Sequence, residues 1–115
     1  REFNSPQRLM VEIVKLVVFV PVSHGDAVRK VMGDAGAGII GNYTFCTFTT
    51  VGVGRFKAGE GANPSVGKVG ALEEVVEERI ETVCRKDIVK EVVAAIKKVH
   101  PYEEAPIDVY PLENI

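Results

Sequence analysis

Apolar residues in the first third of the chain change from a continuous run to a helical spacing. Residues 15–22 (KLVVFVPV) are almost entirely apolar and rich in β-branched side chains. This predicts a strand buried on both faces, and therefore central in its sheet, with 11–14 as an extension. A helix is predicted next, over 24–36, because its apolar residues recur at helical spacing. Ser23 and Asp26 resemble a capping box at the start of this helix.

The middle of the chain predicts two strands joined by a long glycine-rich loop. Residues 43–51 (YTFCTFTTV) are dense in threonine and aromatic side chains, and strand character continues through 55–57 before a loop over 59–70. Residues 72–85 are ambiguous, because their apolar spacing slightly favours a helix whereas 79–84 alternate like a half-buried strand. We assign a strand, since the preceding strand and loop require a pairing partner and since the chain repeats its own pattern.

The last third of the chain repeats the order of strand, helix and strand. Asp87 is the predicted N-cap of a helix over 87–99, and Pro101 ends this helix by restricting His100 to extended geometry. Residues 107–112 (IDVYPL) alternate and predict a final strand, whose proline is typical of an edge. Two such units in tandem predict an α+β, ferredoxin-like βαββαβ sandwich, in which two helices cover one face of an antiparallel four-stranded sheet.

This topology gathers polar residues from distant segments at one end of the sheet. The start of the first helix, the 59–70 loop and the end of the second helix all lie there. That end therefore holds His24, the loop and residues 100–106 (HPYEEAP). Cys46 and Cys84 lie toward the opposite end on adjacent strands, and we interpret them as small hydrophobic residues.

Two kinds of site are compatible with the polar end. A metal site would use His24, His100 and Glu103, since imidazoles bind Zn or Cu and carboxylates bind harder ions. The alternative for residues 100–106 is structural, because a helix terminated by proline already explains their spacing. A ligand-binding site would use Glu60, Asn63, Tyr102 and Glu104.

Other patterns argue against catalysis and nucleotide binding. The glycine-rich loop can present backbone N–H groups to an anion, but it matches neither of the glycine motifs that bind phosphate. The carboxylates within 73–78 form a charge run, which is typical of a solvated face. The sequence offers no Ser/His/Asp or Cys/His arrangement in a workable order. We therefore predict that the chain is not an enzyme.

Composition sets the remaining limits. The 115 residues suffice for one domain, assigned to 11–115, and residues 1–10 follow no period and are predicted to be a disordered leader or a cloning remnant. The net charge of -2 disfavours nucleic-acid binding. No apolar run reaches the roughly 20 residues that span a bilayer. Two cysteines and no secretory signal pattern favour the cytoplasm.

The open face of the predicted sheet indicates self-association. Both helices cover one face, and the first strand is too apolar for its other face to remain in water. We therefore expect a homo-oligomer that buries this face.

Residues 100–112 (HPYEEAPIDVYPL) resemble two related groups of proteins. CutA-like proteins carry a similar His-Pro-Tyr-Glu run between the last helix and the last strand. The closer resemblance is to the insert domain of bacterial YqfO proteins, which belong to the NIF-type dinuclear-metal family, and to small free-standing relatives. The matching stretches span most of 16–112 and are KLVVFVPVSHGDAVRKVM, AGAGIIGNYTFCTF, GRFKAGEGANPSVG, EERIETVC and HPYEEAPIDVYPL.

The resemblance implies the fold of PII signalling proteins and CutA, a trimer in preference to a dimer, and a working surface in the loop between the second and third strands. It also implies that the metal ligands of full-length YqfO-type proteins lie in a flanking domain, so it adds no catalytic centre to this stretch. We expect an oligomeric PII/CutA-like module that binds a small ligand or a divalent metal, or regulates a partner protein. The alternatives are a purely structural or protein-interaction domain without its own ligand, and a small hydrolase active across a subunit interface.

Overall fold

A computed structural model describes residues 11–113, and the leader predicted at 1–10 lies outside the described residues. The order of the elements is the predicted β-α-β-β-α-β. A short 3-10 turn precedes each helix, at Val22–His24 and at Lys86–Ile88. The elements are β1 (Ile13–Pro21), α1 (Gly25–Asp34), β2 (Phe48–Lys57), β3 (Leu72–Arg85), α2 (Val89–Val99) and β4 (Ile107–Pro111).

The four strands form one antiparallel sheet in the order β2-β3-β1-β4. Strand β1 has a neighbour on each side, as its continuous apolar run predicted. Strand β4 lies at an edge and ends at Pro111, which cannot donate a ladder hydrogen bond. The arrangement confirms the ferredoxin-like prediction, including a strand at Leu72–Arg85, where apolar spacing alone slightly favoured a helix.

The hydrophobic core lies between one face of the sheet and the two helices. Alternate residues of β1 point toward the helices, and each helix contributes apolar residues at helical spacing. Burial of each aliphatic side chain contributes about 1.5–3 kcal/mol, so this layer holds the helices on the sheet. Within 11–113, neither helix has the length and apolar character needed to cross a membrane. The fully buried core residues are Leu16, Val18, Val20, Val28, Met32, Ile80, Val92 and Ile96.

Both helices begin without the side-chain caps that the sequence predicted. The N-cap of α1 is His24 and not Ser23, while Asp26 forms an ion pair with an arginine of the same helix. The N-cap of α2 is Ile88 and not Asp87, whose carboxylate binds the preceding arginine side chain. The predicted caps were wrong because the 3-10 turn before each helix moves its N-cap one residue along the chain.

Strand β2 begins at Phe48, later than the predicted start at residue 43. Ile40 and Tyr43 exchange backbone hydrogen bonds across a tight turn. Phe45 then has a φ of 57°, in the left-handed region that a strand residue cannot adopt. Its ring fills the space beside Gly33 where a Cβ would lie. Phe45 therefore packs the loop before β2 onto α1 and does not pair in the sheet.

The two cysteines lie at the end of the sheet opposite the glycine-rich loop, as predicted. Only Cys84 lies in a strand, however, so the expectation that both occupy adjacent strands was wrong. Cys46 precedes β2, and its carbonyl accepts a hydrogen bond from the Thr82 hydroxyl at 2.6 Å. Both thiols are free. Burial raises the pKa of the Cys84 thiol, so this group behaves as a small hydrophobic residue.

Strands β2 and β3 extend beyond the rest of the sheet as a two-stranded arm. Strand β1 ends opposite Glu77, whereas β3 starts at Leu72 and pairs there only with β2. The molecule is therefore elongated, with dimensions of 57 × 24 × 24 Å. The loop predicted at 59–70 joins the two strands of the arm. A hydrogen bond of 2.8 Å from the Gly70 N–H to the Ala58 carbonyl closes its base.

The open face of β1 is better covered within one chain than the sequence suggested. Val17 is fully buried. Glu81 of β3 forms ion pairs on this face with Lys15 and Arg79. The Arg79 guanidinium also lies 6.0 Å from the centre of the Phe19 ring, within the range of a cation–π contact. On β2 and β3, the exposed apolar residues are Phe48 on this same face and Val51, Val53, Leu72 and Val76 on the helix side.

Candidate functional site

Residues 100–106, here called the corner, are attached at both ends to one residue of β1. The Nε2–H of His100 donates to the Phe19 carbonyl at 2.7 Å, and the Phe19 N–H donates to the Pro106 carbonyl at 3.1 Å. His100 is extended, with φ -73° and ψ 133°, and α2 ends before it because Pro101 follows. The corner is therefore held across the end of the central strand.

His100 uses both ring nitrogens inside the protein. Its Nδ1 accepts a hydrogen bond of 3.1 Å from the Tyr102 N–H, while Nε2 donates to the Phe19 carbonyl. This pair of contacts requires the neutral imidazole with its proton on Nε2. Burial lowers the pKa of His100, and the Phe19 carbonyl and the Glu77 carboxylate only partly oppose this effect. The contacts match the structural alternative for this histidine.

Tyr102 connects the corner to the arm. Its hydroxyl donates a hydrogen bond of 2.6 Å to Oε2 of Glu77. Burial, together with this bond, raises the pKa of the Tyr102 hydroxyl. The Oε1 atom of Glu77 occupies the space that a Cβ at Gly54 would fill. The absence of a side chain at Gly54 thus allows Glu77 to lie flat on the arm and reach Tyr102.

The glycine-rich loop completes the site by folding back onto the corner. The Asn63 N–H donates a hydrogen bond of 3.0 Å to Oε1 of Glu103. Arm, loop and corner surround a half-open cavity of about 380 Å³, a volume typical of small-molecule sites. The apolar part of its wall is Phe56, Ala58, Ala62, Pro64 and Pro106. The acidic and hydroxyl groups that line it include Glu77, Tyr102, Glu103 and Glu104.

The structure brings together part of the predicted ligand site. Tyr102, Glu104 and the predicted metal ligand Glu103 line the cavity. Asn63 contributes its backbone N–H, which holds the loop to the corner. Glu60 is exposed on the same loop and is not among the cavity residues.

The three residues predicted to hold a metal each have separate contacts. The Nδ1 atom of His24 lies 2.8 Å from the Ser23 hydroxyl, and Glu103 binds the loop. A metal at His100 would have to replace one of its two hydrogen bonds. Among residues 11–113, no three His, Cys, Asp or Glu side chains are grouped to hold a metal ion. This donor set does not fit a metal centre without rearrangement.

Glu77 is the site residue that the sequence interpretation missed. It belongs to the charge run within 73–78, which we interpreted as a solvated face. That interpretation was wrong for Glu77 and Glu78, which are both half-buried. Glu78 points to the helix side and forms an ion pair of 2.7 Å with Arg29, whereas Glu77 points to the open side and binds Tyr102. The strand assignment for this segment could have separated Glu77 from Glu78, because successive strand residues point to opposite faces.

No protein-family model matches the chain. The GTP cyclohydrolase 1 type 2 homolog of Halalkalibacterium halodurans is 56% identical over 102 residues and that of Bacillus subtilis 50% over 100 residues, covering 89% and 87% of this chain. A crystal structure of a Bacillus cereus protein related to NIF3 is 50% identical and superposes with a TM-score of 0.79 over 90% of this chain. The chain is homologous to one segment of the NIF3-related proteins. It spans 27% of the length of each of these three.

More distant solved structures share the fold alone. CutA from Archaeoglobus fulgidus, described as a periplasmic divalent cation tolerance protein, is 16% identical with a TM-score of 0.66, covering 89% of this chain and 85% of its own. The GlnK–ATP complex of B. subtilis is 14% identical with a TM-score of 0.61, covering 88% and 82%. The segment shared with NIF3-related proteins therefore has a CutA/PII-like fold.

Proposed function

We propose that this chain is a small-ligand-binding module that acts by binding rather than by catalysis. The observation that carries the proposal is the cavity between the arm, the loop and the corner. It combines an apolar wall with a few convergent polar groups, which is the usual composition of a ligand site.

The way the cavity is built supports this role. Its walls come from segments far apart in sequence, and specific hydrogen bonds join them: Asn63 to Glu103, and Tyr102 to Glu77. The corner is fixed to β1 at both ends. A ligand would therefore meet a largely preformed site and would lose less affinity to ordering of the protein. A ligand that spans these walls would also couple the loop to the rest of the sheet.

The test is a fragment screen by protein-observed NMR on the isotope-labelled chain, with neutral, cationic and anionic compounds. We expect hits to shift the amides that line the cavity. Ala62→Leu fills part of the cavity and should weaken these hits about tenfold or more. The matched control, Ala71→Leu, adds the same bulk at the end of the loop, outside the lining. A screen without shifts in the cavity, or hits insensitive to Ala62→Leu, would overturn the proposal.

A second candidate function is assembly through the arm. On the helix-facing side of the arm and its base, Val51, Val53, Leu72 and Val76 are all more than half exposed. We call these four residues the arm patch. The Arg55–Glu74 ion pair separates Leu72 from the other three residues on this face. Exposed apolar surface bordered by polar side chains is typical of an interaction site. We propose that a second copy of the chain covers it, with the trimer that the family resemblance implies as the favoured state.

Light scattering coupled to size exclusion tests this assembly. The wild-type chain should run as an oligomer, and Val53→Lys should shift it toward a monomer because a charge in an apolar contact is costly. Val69→Lys is the matched control, since Val69 is exposed in the loop and lies outside the patch. A monomeric wild-type protein, or an oligomer that survives Val53→Lys, would contradict the proposal.

Metal binding is a narrower version of the ligand proposal. Because His100 uses both nitrogens, a Zn²⁺ or Cu²⁺ ion bound at this end would depend on His24 and neighbouring carboxylates. Titration with Zn²⁺ followed by thermal melting should then show a shift in Tm that His24→Ala removes and His100→Ala keeps. A shift that only His100→Ala removes would restore the original assignment of His100 as a ligand.

We propose a cytoplasmic location, which the two free thiols support because disulfides are rare in reducing compartments. The activity in the relatives' name, GTP cyclohydrolase, is not part of the proposal, since the chain spans about a quarter of their length. Incubation of the purified chain with GTP should leave the nucleotide unchanged, and turnover that survives repurification would contradict a pure binding role.

A further inference from the structure

The cavity contains an excess of negative charge on the side where a ligand would lie. Three carboxylates line it, from Glu77, Glu103 and Glu104. Each ionised carboxylate can accept about four hydrogen bonds. The recorded partners, the Tyr102 hydroxyl and the Asn63 N–H, use one oxygen each of Glu77 and Glu103. Acceptor capacity therefore remains for a ligand that donates hydrogen bonds.

Arg55 and Lys57 are among the cavity-lining residues, but their positions in β2 direct their side chains toward the opposite face of the arm. Arg55 and Lys57 alternate along β2 with Gly54 and Phe56. Because successive strand residues point to opposite faces, Gly54 and Phe56 share the face of Glu77, whereas Arg55 and Lys57 do not. Arg55 is in addition paired with Glu74 on its own face, at 3.2 Å. The carboxylates in the cavity are thus not neutralised by these two cations.

Apart from the Ser65 and Tyr102 hydroxyls, most of the remaining wall is apolar. Phe56, Ala58, Ala62, Pro64 and Pro106 present carbon surface next to the carboxylates. A bare inorganic cation would leave this surface in water, and a purely apolar ligand would cover carboxylates without giving them donors, at a cost. A ligand with both a hydrogen-bond-donating cation and an apolar body would match the carboxylates and the carbon surface together.

We propose that the cavity binds a small organic cation, a primary amine or a guanidinium carried on a compact apolar body. This assignment rests on the proposed ligand-binding function and specifies its ligand class. Phosphate-bearing ligands are disfavoured, because their charge would meet three carboxylates at short range.

A matched series of three compounds tests the charge of the ligand while its apolar body stays nearly constant. Benzylamine, benzyl alcohol and benzoate are titrated into the labelled protein, and the lining amides are followed by NMR. We expect benzylamine to bind about tenfold or more tighter than benzyl alcohol and benzoate to bind weakest, since a charge-assisted hydrogen bond is about twice as strong as a neutral one. Benzylamine affinity should also fall with added NaCl. Inorganic phosphate and ATP should leave the lining amides in place.

Two variants connect the preference for charge to named residues. The double variant Glu103→Gln/Glu104→Gln should weaken benzylamine severalfold and leave benzyl alcohol unchanged, because the amide keeps the shape and removes the charge. Both residues are exposed, so folding is expected to survive. The matched control is Glu60→Gln, which removes one carboxylate from the same loop outside the lining.

The outcomes separate the ligand class from the wider function. Benzoate or ATP binding in the cavity as tightly as benzylamine would overturn the organic-cation assignment and leave a ligand site of another class. A benzylamine affinity unaffected by the double variant would also overturn the assignment, because the carboxylates would then play no part. If none of the compounds and no fragment moves the lining amides, both the class and the ligand-binding function fail.

Discussion

His100 joins the second helix, the central strand and the corner through one imidazole ring. Its two hydrogen bonds need one donor and one acceptor nitrogen, to the Phe19 carbonyl and from the Tyr102 N–H respectively. A second proton on Nδ1 would place two donors against each other. Protonation of His100 would therefore break the hydrogen bond from the Tyr102 N–H. Burial also disfavours the charged imidazolium and lowers the pKa of His100.

We predict that His100 makes the protein less stable in mild acid. Its pKa is lowered in the folded chain, so the unfolded chain takes up a proton first, and this contribution to stability is lost as the pH falls below about 6.5. Urea unfolding at about pH 7.5 and about pH 5.5 should show a larger loss for the wild type than for His100→Gln. At the higher pH, His100→Gln should itself cost about 1–3 kcal/mol through the lost hydrogen bonds.

The matched control for this experiment is His24→Gln, which removes the other of the two histidines. It leaves the buried imidazole in place and should keep the wild-type difference between the two pH values. If His100→Gln shows the same difference as the wild type, the acid sensitivity comes from other groups and our account of His100 is wrong.

The hydrogen bond between Tyr102 and Glu77 should make a measurable contribution to stability. Tyr102→Phe removes only the hydroxyl that donates to Glu77 and should cost about 1 kcal/mol, below the usual range for bonds to charged groups because both side chains are only half-buried. Tyr110→Phe removes an exposed hydroxyl on β4 and should change stability by about 0.5 kcal/mol or less. Equal effects of the two substitutions in chemical denaturation would argue against a structural role for the bond.

At the level of elements, strand β2 carries two glycines that differ in what a methyl group would meet. A Cβ at Gly52 would meet nothing within 4 Å, whereas a Cβ at Gly54 would displace the Glu77 carboxylate. Both glycines lie on the same face of the strand. They therefore form a natural pair of sites for the same substitution.

We predict different effects of alanine at these two positions. Gly52→Ala should stabilise the protein by about 0.5–1 kcal/mol, because glycine within a strand is costly in entropy. Gly54→Ala should give no such stabilisation. The new methyl group would force Glu77 away from Tyr102, and loss of their hydrogen bond costs about 1 kcal/mol. Denaturation curves of both variants check the difference. In the background of Tyr102→Phe, the two substitutions should become alike, and a difference that persists there would show that another contact limits Gly54.

The sequence predicted the elements well where apolar periodicity controls them and less well at their ends. Strand β1 and the buried faces of both helices follow directly from residues that the core requires. The start of β2 was wrong because Thr and aromatic residues favour strands locally, while the positive φ of Phe45 depends on the tight turn before it and on the space beside Gly33. Such contacts between loop and helix have no periodic signal.

The site was predictable to the same extent and for the same reason. Topology alone placed the corner and the loop at one end, and Tyr102, Glu103 and Glu104 line the cavity there. Glu77 was missed, because it lies in a run of charged residues and only its hydrogen bond to the Tyr102 hydroxyl, across the end of β1, distinguishes it from its neighbours. Whether a charged strand residue lines the cavity depends on strand register and side-chain contacts, and neither can be obtained from residue types taken one at a time.

At the level of the whole molecule, the cavity and the ends of the described chain lie at opposite poles. Strand β1 starts and β4 finishes side by side, since Val14 pairs with Pro111, whereas the arm, the loop and the corner lie at the far end. A module with this layout can be joined to other domains at one pole while its cavity stays open at the other. This layout suits a segment that makes up about a quarter of its longer relatives.

The elongated shape also predicts uneven stability along the molecule. The arm beyond Glu77 has only two strands, and its helix-side face carries the exposed arm patch, whereas β1 lies between two neighbours beneath the helices. In dilute protein, amides in Leu72 to Val76 should exchange with solvent about 100-fold faster or more than amides in the centre of β1. Hydrogen exchange read by mass spectrometry can resolve the two regions.

Repetition of that exchange experiment at rising protein concentration connects the arm to assembly. If a second copy covers the arm patch, protection of the arm should rise with concentration in the wild type and stay low in Val53→Lys, because complex formation adds stability only to what it covers. The centre of β1 should change little in either protein, since Val17 and the core residues are buried within one chain. Protection of the arm that is high at every concentration, and equally high in Val53→Lys, would show that the two-stranded arm is stable by itself and that the patch is free for a different partner.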